Sequence, residues 1–559
     1  MDFSKAIPSD CRTLTVVPSI LSSPDAVEEL CDALEVRYLA NRDPNLLFCL
    51  LSDFTDADTE TTPEDEPLLE QARRHIEELN QKYAANSHSP FLLLHRPRRW
   101  NAEEKKWMGY ERKRGKLEEL NVFLRGGAKD RFSAIVGNTD GLADIRYVIT
   151  LDSDTQLLRD TAKQFVGTMA HLLNRARSDA GKGIVDQGYG ILQPRITYSL
   201  PGSNASAYER LGSGEAGIDP YTRTVSDVYQ DVFRQGSFIG KGIYDVDAVQ
   251  SALHGKIPEN RILSHDLLEG CYARSGLLSD AQLYEKHPSR YETDIMRRHR
   301  WIRGDWQLLP WLMPVVPCAA TCDGKKHASN PLSGLSRWKL FDNLRRSLVA
   351  PSIVLLFVWG WLSMASPWRW TGALLAVILI QPLLASLTDL LRKPQENLPA
   401  QHLSAVMQSA SSHFSNALLN LAFLPYEAYF SLDAILRTLW RMFVSHQNLL
   451  EWNTYSEPDH EVKAEFAAYL RLMWFAPTLA LAVAVALFAV NRSALPVALI
   501  FLLLWLVSPA VAWLISVPSV RKEEALSDEQ TVFLRKLARR IWAFFETYVG
   551  PEDNWLPFF

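Results

Sequence analysis

At 559 residues the chain exceeds one ordinary domain, and 22% charged residues with a net charge of −5 leave no basic surplus to draw a nucleic acid, so none is expected as a partner. Six cysteines, at 11, 31, 49, 271, 318 and 322, have neither paired zinc spacing nor the density of a disulfide scaffold and read as free thiols. The averages hide a division, because the text is mixed and charged to about Asn330, whereas four long apolar runs follow from Ser347.

No apolar stretch precedes Arg12, so no signal peptide is expected and the amino-terminal part is expected in the cytoplasm. Arg12 to Val17 reads as a strand closed by Pro18. Ser23-Pro24-Asp25 then supplies an N-cap and an N1 proline for a helix with Val27, Leu30, Leu34 and Val36 on its apolar face. Leu46 to Leu51 is a second strand ending at Ser52-Asp53. Parallel pairing through a right-handed crossover brings both strand tips to one crevice, which makes Asp53 a site candidate. The acidic stretch from Asp53 to Glu66 otherwise reads as an exposed loop. A helix near Leu68 to Tyr83 and a short strand, Phe91 to Leu94, follow.

Nine cations crowd between Arg96 and Lys116, and a solvated face accounts for most of them. Lys116 is the exception. It opens an amphipathic helix, where a cation and free backbone amides can meet one phosphate.

Ile145 to Leu151 is a buried strand that empties into Asp152-Ser153-Asp154. Two carboxylates at the carboxyl end of an α/β strand suit a hard cation such as Mg²⁺ or Mn²⁺, whose shell a diphosphate would complete. Asp56-Ala57-Asp58 and Asp245-Val246-Asp247 repeat the triplet without such a strand before them. Gly190 to Arg195 ends another strand. Gly236 to Gly242 is glycine-rich but not a Walker loop, with Phe238 placed to stack on a sugar. Asp266 follows His265 at a helix start and is the candidate general base. Arg297 to Gln307 is dense in guanidinium and indole.

Together these residues resemble the processive GT-A glycosyltransferases of the cellulose, chitin and hyaluronan synthase type. The pattern places its first Asp at Asp53, its DxD at Asp152 and Asp154, its acidic pair at His265-Asp266 and its QxxRW at Arg297 to Trp301. His265 replaces a glutamate and Arg297 a glutamine. Ser264 to Gly270, Lys241 to Asp245 and Glu552 to Pro557 instead look like the glycosyltransferase and membrane part of cyclic β-1,2-glucan synthases. That resemblance implies UDP-glucose as donor, Mg²⁺ or Mn²⁺, inverting β-1,2 transfer, a growing β-glucan chain carried on a tyrosine that the residues do not assign, and the bacterial cytoplasmic membrane. It implies Asp53 and Lys116 near the nucleotide, Asp152 and Asp154 at the metal, Asp266 as base, and Arg300 and Trp301 at the diphosphate and acceptor. Family members are longer, so a fragment, split product or remnant is an expectation here, with separate chains supplying the missing domains. An inactive remnant or nucleotide-sugar binder, and a transferase making single additions to a lipid, stay open as alternatives.

The expected fold is an α/β, Rossmann-like GT-A domain over 1–330, then a helical membrane domain over 331–520 and a cytoplasmic segment over 521–559. Ser347–Ala365, Thr371–Thr388, Leu472–Val490 and Ala494–Val517 are each long enough to cross a core of ~30 Å. Their short connectors hold only Arg369 and Arg492, while Arg345, Arg346, Arg392, Lys393, Arg437, Arg441, Arg521 and Lys522 flank the other ends. The catalytic half is therefore expected inside. Leu418 to Val444 reads as an interfacial amphipathic helix pair broken at Pro425.

Overall fold

A computed structural model describes residues 1–84, 89–127, 129–179, 181–202, 205–213, 227–319, 327–393, 398–452, 465–518 and 526–550. A nine-stranded sheet organises the first half. Its strands are β1 (Thr13–Leu21), β2 (Leu46–Phe54), β3 (Phe91–His95), β4 (Ala134–Val136), β5 (Tyr147–Thr150), β6 (Gln156–Leu157), β7 (Ile191–Tyr198), β8 (Gly242–Asp245) and β9 (Ser275–Glu285), in the spatial order β4-β3-β2-β1-β5-β8-β7-β9-β6. The pair β1/β2 is parallel, as the crossover argument requires, and so are β2/β3, β1/β5 and β7/β9. Alternate side chains feed two cores. Phe48 and Leu50 face α1 (Pro24–Ala40) and α2 (Asp65–Lys82), while Leu47, Cys49 and Leu51 face α3 (Arg112–Leu124) and α4 (Asp266–Tyr272). This is the expected α/β, Rossmann-like arrangement.

Ser23 caps α1 by accepting from the Ala26 amide, and Pro24 stands at its first position. Val27, Leu30 and Leu34 are buried, but Val36 is 64% exposed, because it falls off the stripe that Cys31 completes. Pro18 does not close β1 as expected. The Val16 carbonyl accepts from the Leu151 amide, so Pro18, two residues on, points to the same side after the β5 ladder has ended, and its missing N–H is not needed.

Two further expectations fail through ion pairing. Asp56 pairs with Arg112 at 2.5 Å and Asp65 is buried against Arg98, so part of the acidic loop is structural. The cations between 96 and 116 are not mainly a solvated face either, since Arg96, Arg98 and Lys116 are buried beside carboxylates from distant segments and Arg114 is buried beside Glu111, three residues before it. Cys318 is disulfide-bonded, which corrects the free-thiol reading for that residue: residue spacing alone does not show which thiols the fold brings together. Cys11, Cys31, Cys49 and Cys271 are free, and Cys322 lies outside the described residues.

The second half is helical: α5 (Tyr291–Gln307), α6 (Gly334–Ser347), α7 (Val349–Ser363), α8 (Pro367–Leu391), α9 (Pro399–Trp440), α10 (Phe466–Leu472), α11 (Phe475–Val490), α12 (Leu495–Ser516) and α13 (Asp528–Tyr548). All four apolar runs are helices. Pro367–Leu391 and Arg492–Ser516 are long and apolar enough to cross a membrane alone, whereas α7 and α11 reach that length only with α6 and α10, from which they bend by 46° and 59°.

No break occurs at Pro425. The helix α9 runs 42 residues through it, in place of the expected pair. Proline removes the amide that would bond to the Leu421 carbonyl, and the buried Trp505 indole of α12 donates to that carbonyl instead, at 3.0 Å. Arg521, Lys522 and the closing Glu552 to Pro557 lie outside the described residues.

Candidate active site

The carboxyl ends of β1, β2 and β9, and the turn that follows β5, open onto one cleft of about 2130 Å³. It is lined by Asp53, Lys116, Asp152, Asp154, Asp266, Arg300 and Trp301, and it continues between α7, α8 and α9 past Ile353, Val377 and Asn420. The structure thus brings every candidate residue to one cleft. A smaller hollow of about 620 Å³, lined by Asp10, Arg125 and Asp245, contains none of them.

At the end of β2, Asp53 is 4% exposed and held bidentately by Arg96 at 2.8 Å, while the Lys116 ammonium stands 3.3 Å away and also bonds to the Ser19 carbonyl. Burial alone would raise the Asp53 carboxyl, but Arg96 and Lys116 hold it below its usual range. Burial brings Lys116 down to about 8 even with Asp53 beside it. Gly109 is required here, since a Cβ at that position would sit 2.1 Å from Asp53 Oδ2.

The turn after β5 carries Asp152 and Asp154, and Glu285 at the tip of β9 meets them. One oxygen from each of the three carboxylates lies within 4.8 Å of the others. Lys113 reaches Asp152 at 2.6 Å, and Lys241 bridges Asp152, at 3.0 Å, to Glu285. The Thr155 hydroxyl donates to Glu285 at 2.8 Å. The buried Arg37 guanidinium of α1 ties the turn down through the Ser153 carbonyl at 2.6 Å and the Thr155 carbonyl at 2.9 Å.

Burial would raise Asp152, but its two lysines hold it well below the usual carboxylate range. Asp154 faces the water of the cleft. Desolvation by the walls, then Glu285 and Asp152, push its carboxyl up to about 6. Three hard oxygen donors with unrelieved negative charge at Asp154 fit a divalent cation. The other two triplets have structural roles: Asp56 pairs with Arg112, and Asp245 caps the helix Val246–Leu253.

Across the cleft Asp266 begins α4. Its Oδ1 is buried and makes no hydrogen bond. His265, buried behind it, lies 3.6 Å from that oxygen and 2.9 Å from Glu269, and these two carboxylates raise the imidazole pKa against the lowering effect of burial. Gly240, at φ +89°, lets the backbone pass beside Asp266, where a Cβ would approach to 2.6 Å. Phe238 borders the cleft, but its side chain is 2% exposed and packed in the core with Leu267 and Leu268, so its ring is not open to a sugar.

Trp301 lies on α5 with the Arg297 guanidinium 4.8 Å over its ring, and Arg300 stacks on Trp452 at 4.1 Å. Arg298 pairs with Glu427 and His299 with Asp433, both on α9, at 2.7 and 3.0 Å. Glu285, Lys241, Lys113 and Arg37 were absent from the sequence expectation. Lys113 stands in the run of cations before Lys116 and Lys241 in a segment that carries the resemblance, whereas neither Glu285 nor Arg37 stands out in the sequence.

No family model matches the chain. Over 562 aligned residues and its full length, the chain is 42% identical to the cyclic beta-(1,2)-glucan synthase NdvB of Rhizobium meliloti (strain 1021), and it spans 19% of that protein's length. The likeness to cyclic β-1,2-glucan synthases therefore runs through the whole chain.

Proposed function

We propose that this chain is the glucosyl-transferring membrane segment of a β-1,2-glucan synthase, using UDP-glucose to extend a glucan with inversion at the anomeric carbon. In this reading residues 1–330 form the cytoplasmic transferase, 331–520 the multi-pass membrane part and 521–559 a cytoplasmic tail, in the bacterial inner membrane. The observation that carries it is the facing pair of sites across one cleft, a three-carboxylate cluster at Asp152, Asp154 and Glu285 opposite the partly exposed carboxylate of Asp266.

The acceptor hydroxyl loses its proton to Asp266 as its oxygen bonds to the anomeric carbon from the face opposite the diphosphate. The bond to the diphosphate oxygen breaks, and UDP leaves with the electron pair. A divalent cation held by Asp152, Asp154 and Glu285 would neutralise charge developing on that diphosphate. Lys113 and Lys241 hold the cluster together, and Arg37 fixes the turn that presents it. Arg300 and Trp301 face the diphosphate and acceptor, and Asp53 with Lys116 shapes the floor beneath the nucleotide.

Membranes containing the chain, incubated with labelled UDP-glucose, are expected to release UDP and to incorporate label into β-1,2-linked polymer when Mg²⁺ or Mn²⁺ is supplied. Label in the organic-solvent extract would point to a lipid acceptor. The absence of both UDP release and incorporation would overturn the reading.

A further inference from the structure

Among the described residues nothing buries the helix α13: of its 21 residues, Asp528 to Tyr548, none is buried. It is nevertheless strongly two-faced. Phe533, Leu534, Leu537, Ile541, Phe544, Phe545 and Tyr548 recur at three- and four-residue spacing along one stripe, and every one of them is exposed. Lys536 and Arg540 flank the stripe one turn apart, with Arg535 and Arg539 on the far face. A Ser527–Gln530 capping box starts the helix without help from any neighbour. Eleven residues, Val517 to Ser527, separate it from the end of the apolar helix α12, a tether of at most ~40 Å.

We infer that α13 is an interfacial anchor that lies in the plane of the membrane, its aromatic stripe among the acyl chains and its cations on anionic headgroups. An apolar stripe edged by Lys and Arg matches an anionic leaflet in charge and in depth, and the short tether keeps the helix at the surface where α12 emerges. The far-face Arg535 lies too far round the helix to share the stripe's depth and acts through the surface potential, while Arg539 beside it is paired with Glu546 at 2.9 Å. The inference rests on the membrane reading of the apolar helices but not on transferase activity.

Nitroxide labels on the full chain in a Cys271→Ser background test it. Leu537→Cys and Phe544→Cys report the stripe, Arg539→Cys the far face, and Ile380→Cys in α8 a transmembrane reference, in phosphatidylcholine vesicles with and without phosphatidylglycerol. The stripe labels should collide with oxygen in preference to an aqueous nickel chelate, at depths of ~5–10 Å. The far-face label should show the reverse, and the stripe depth should fall when phosphatidylglycerol is omitted or when Arg535, Lys536, Arg539 and Arg540 become Glu. Stripe labels open to the nickel chelate would overturn the proposal, as would stripe labels shielded from both reagents, which would mean a protein partner. An aqueous Ile380 label would overturn the membrane reading, and this proposal with it.

Discussion

Asp53 at the end of β2 and Asp154 in the turn after β5 flank the same strand, β1, and open onto the same cleft, yet their environments are opposites. Asp53 is closed, with both oxygens taken by Arg96 and an ammonium beside them. Asp154 is open, crowded by Glu285 and Asp152 while the adjacent lysines serve those two. A carboxylate at a strand tip is therefore not chemical by position alone. What separates a structural acid from a working one is whether the fold itself has satisfied its charge.

Asp266→Asn should show the largest effect on the working side. It keeps the size and the helix start but cannot take a proton, so transfer should fall by ~10²–10⁴-fold, with UDP binding retained. Near wild-type elongation would move the base to Glu269. On the structural side, Arg96→Met should strip Asp53 and Glu119 of their shared partner and cost about 3–5 kcal/mol in denaturant unfolding. A variant as stable as the parent would show that Lys116 suffices for Asp53. Arg37→Met loosens the turn without touching a carboxylate, and a displacement of about 1 Å is worth ~10²-fold in rate. Its melting point should move less than that of Arg96→Met, and a reversed order would make Arg37 the greater structural element.

The two acids should also differ in the sign of their pH response in metal-free buffer. Asp53 has a depressed pKa, so its contribution to stability is present at neutral pH and lost as pH falls through the acid range. Asp154 has a raised pKa, so the strain of its ionisation is absent below about pH 4 and grows as pH rises through about 6. Asp154→Asn should therefore melt above the parent at pH 7 and level with it at pH 4, while losing metal-dependent transfer. A lower melting point at both pH values would place Asp154 with Asp53 among the structural acids.

Much of this was legible in the sequence because it is local. The Ser23-Pro24 start, the parallel β1 and β2, the strand before Asp152 and the helix start at Asp266 each depend on a few adjacent residues. What escaped lies in contacts between distant segments. Lys113 meets Asp152 across 39 positions and Thr155 meets Glu285 across 130. The cations from 96 to 116 looked solvent-facing because their counter-charges at 53, 56, 65 and 152 belong to other elements. Pro425 looked like a break because the group that replaces its hydrogen bond sits 84 residues from Leu421.

That indole on the Leu421 carbonyl also has a mechanical consequence. With its weakest turn braced, α9 serves as a stiff strut, and Glu427 and Asp433 on it grip Arg298 and His299 of the helix that carries Arg300 and Trp301. A movement of the apolar bundle is thereby carried to the wall of the cleft that holds Arg300 and Trp301. The wall that holds Asp152 and Asp154 hangs from the sheet instead, through Arg37 and the two lysines. The walls have separate suspensions, so in the proposed polymerising transferase the advance of a glucan by one sugar would shift one against the other while each keeps its own geometry.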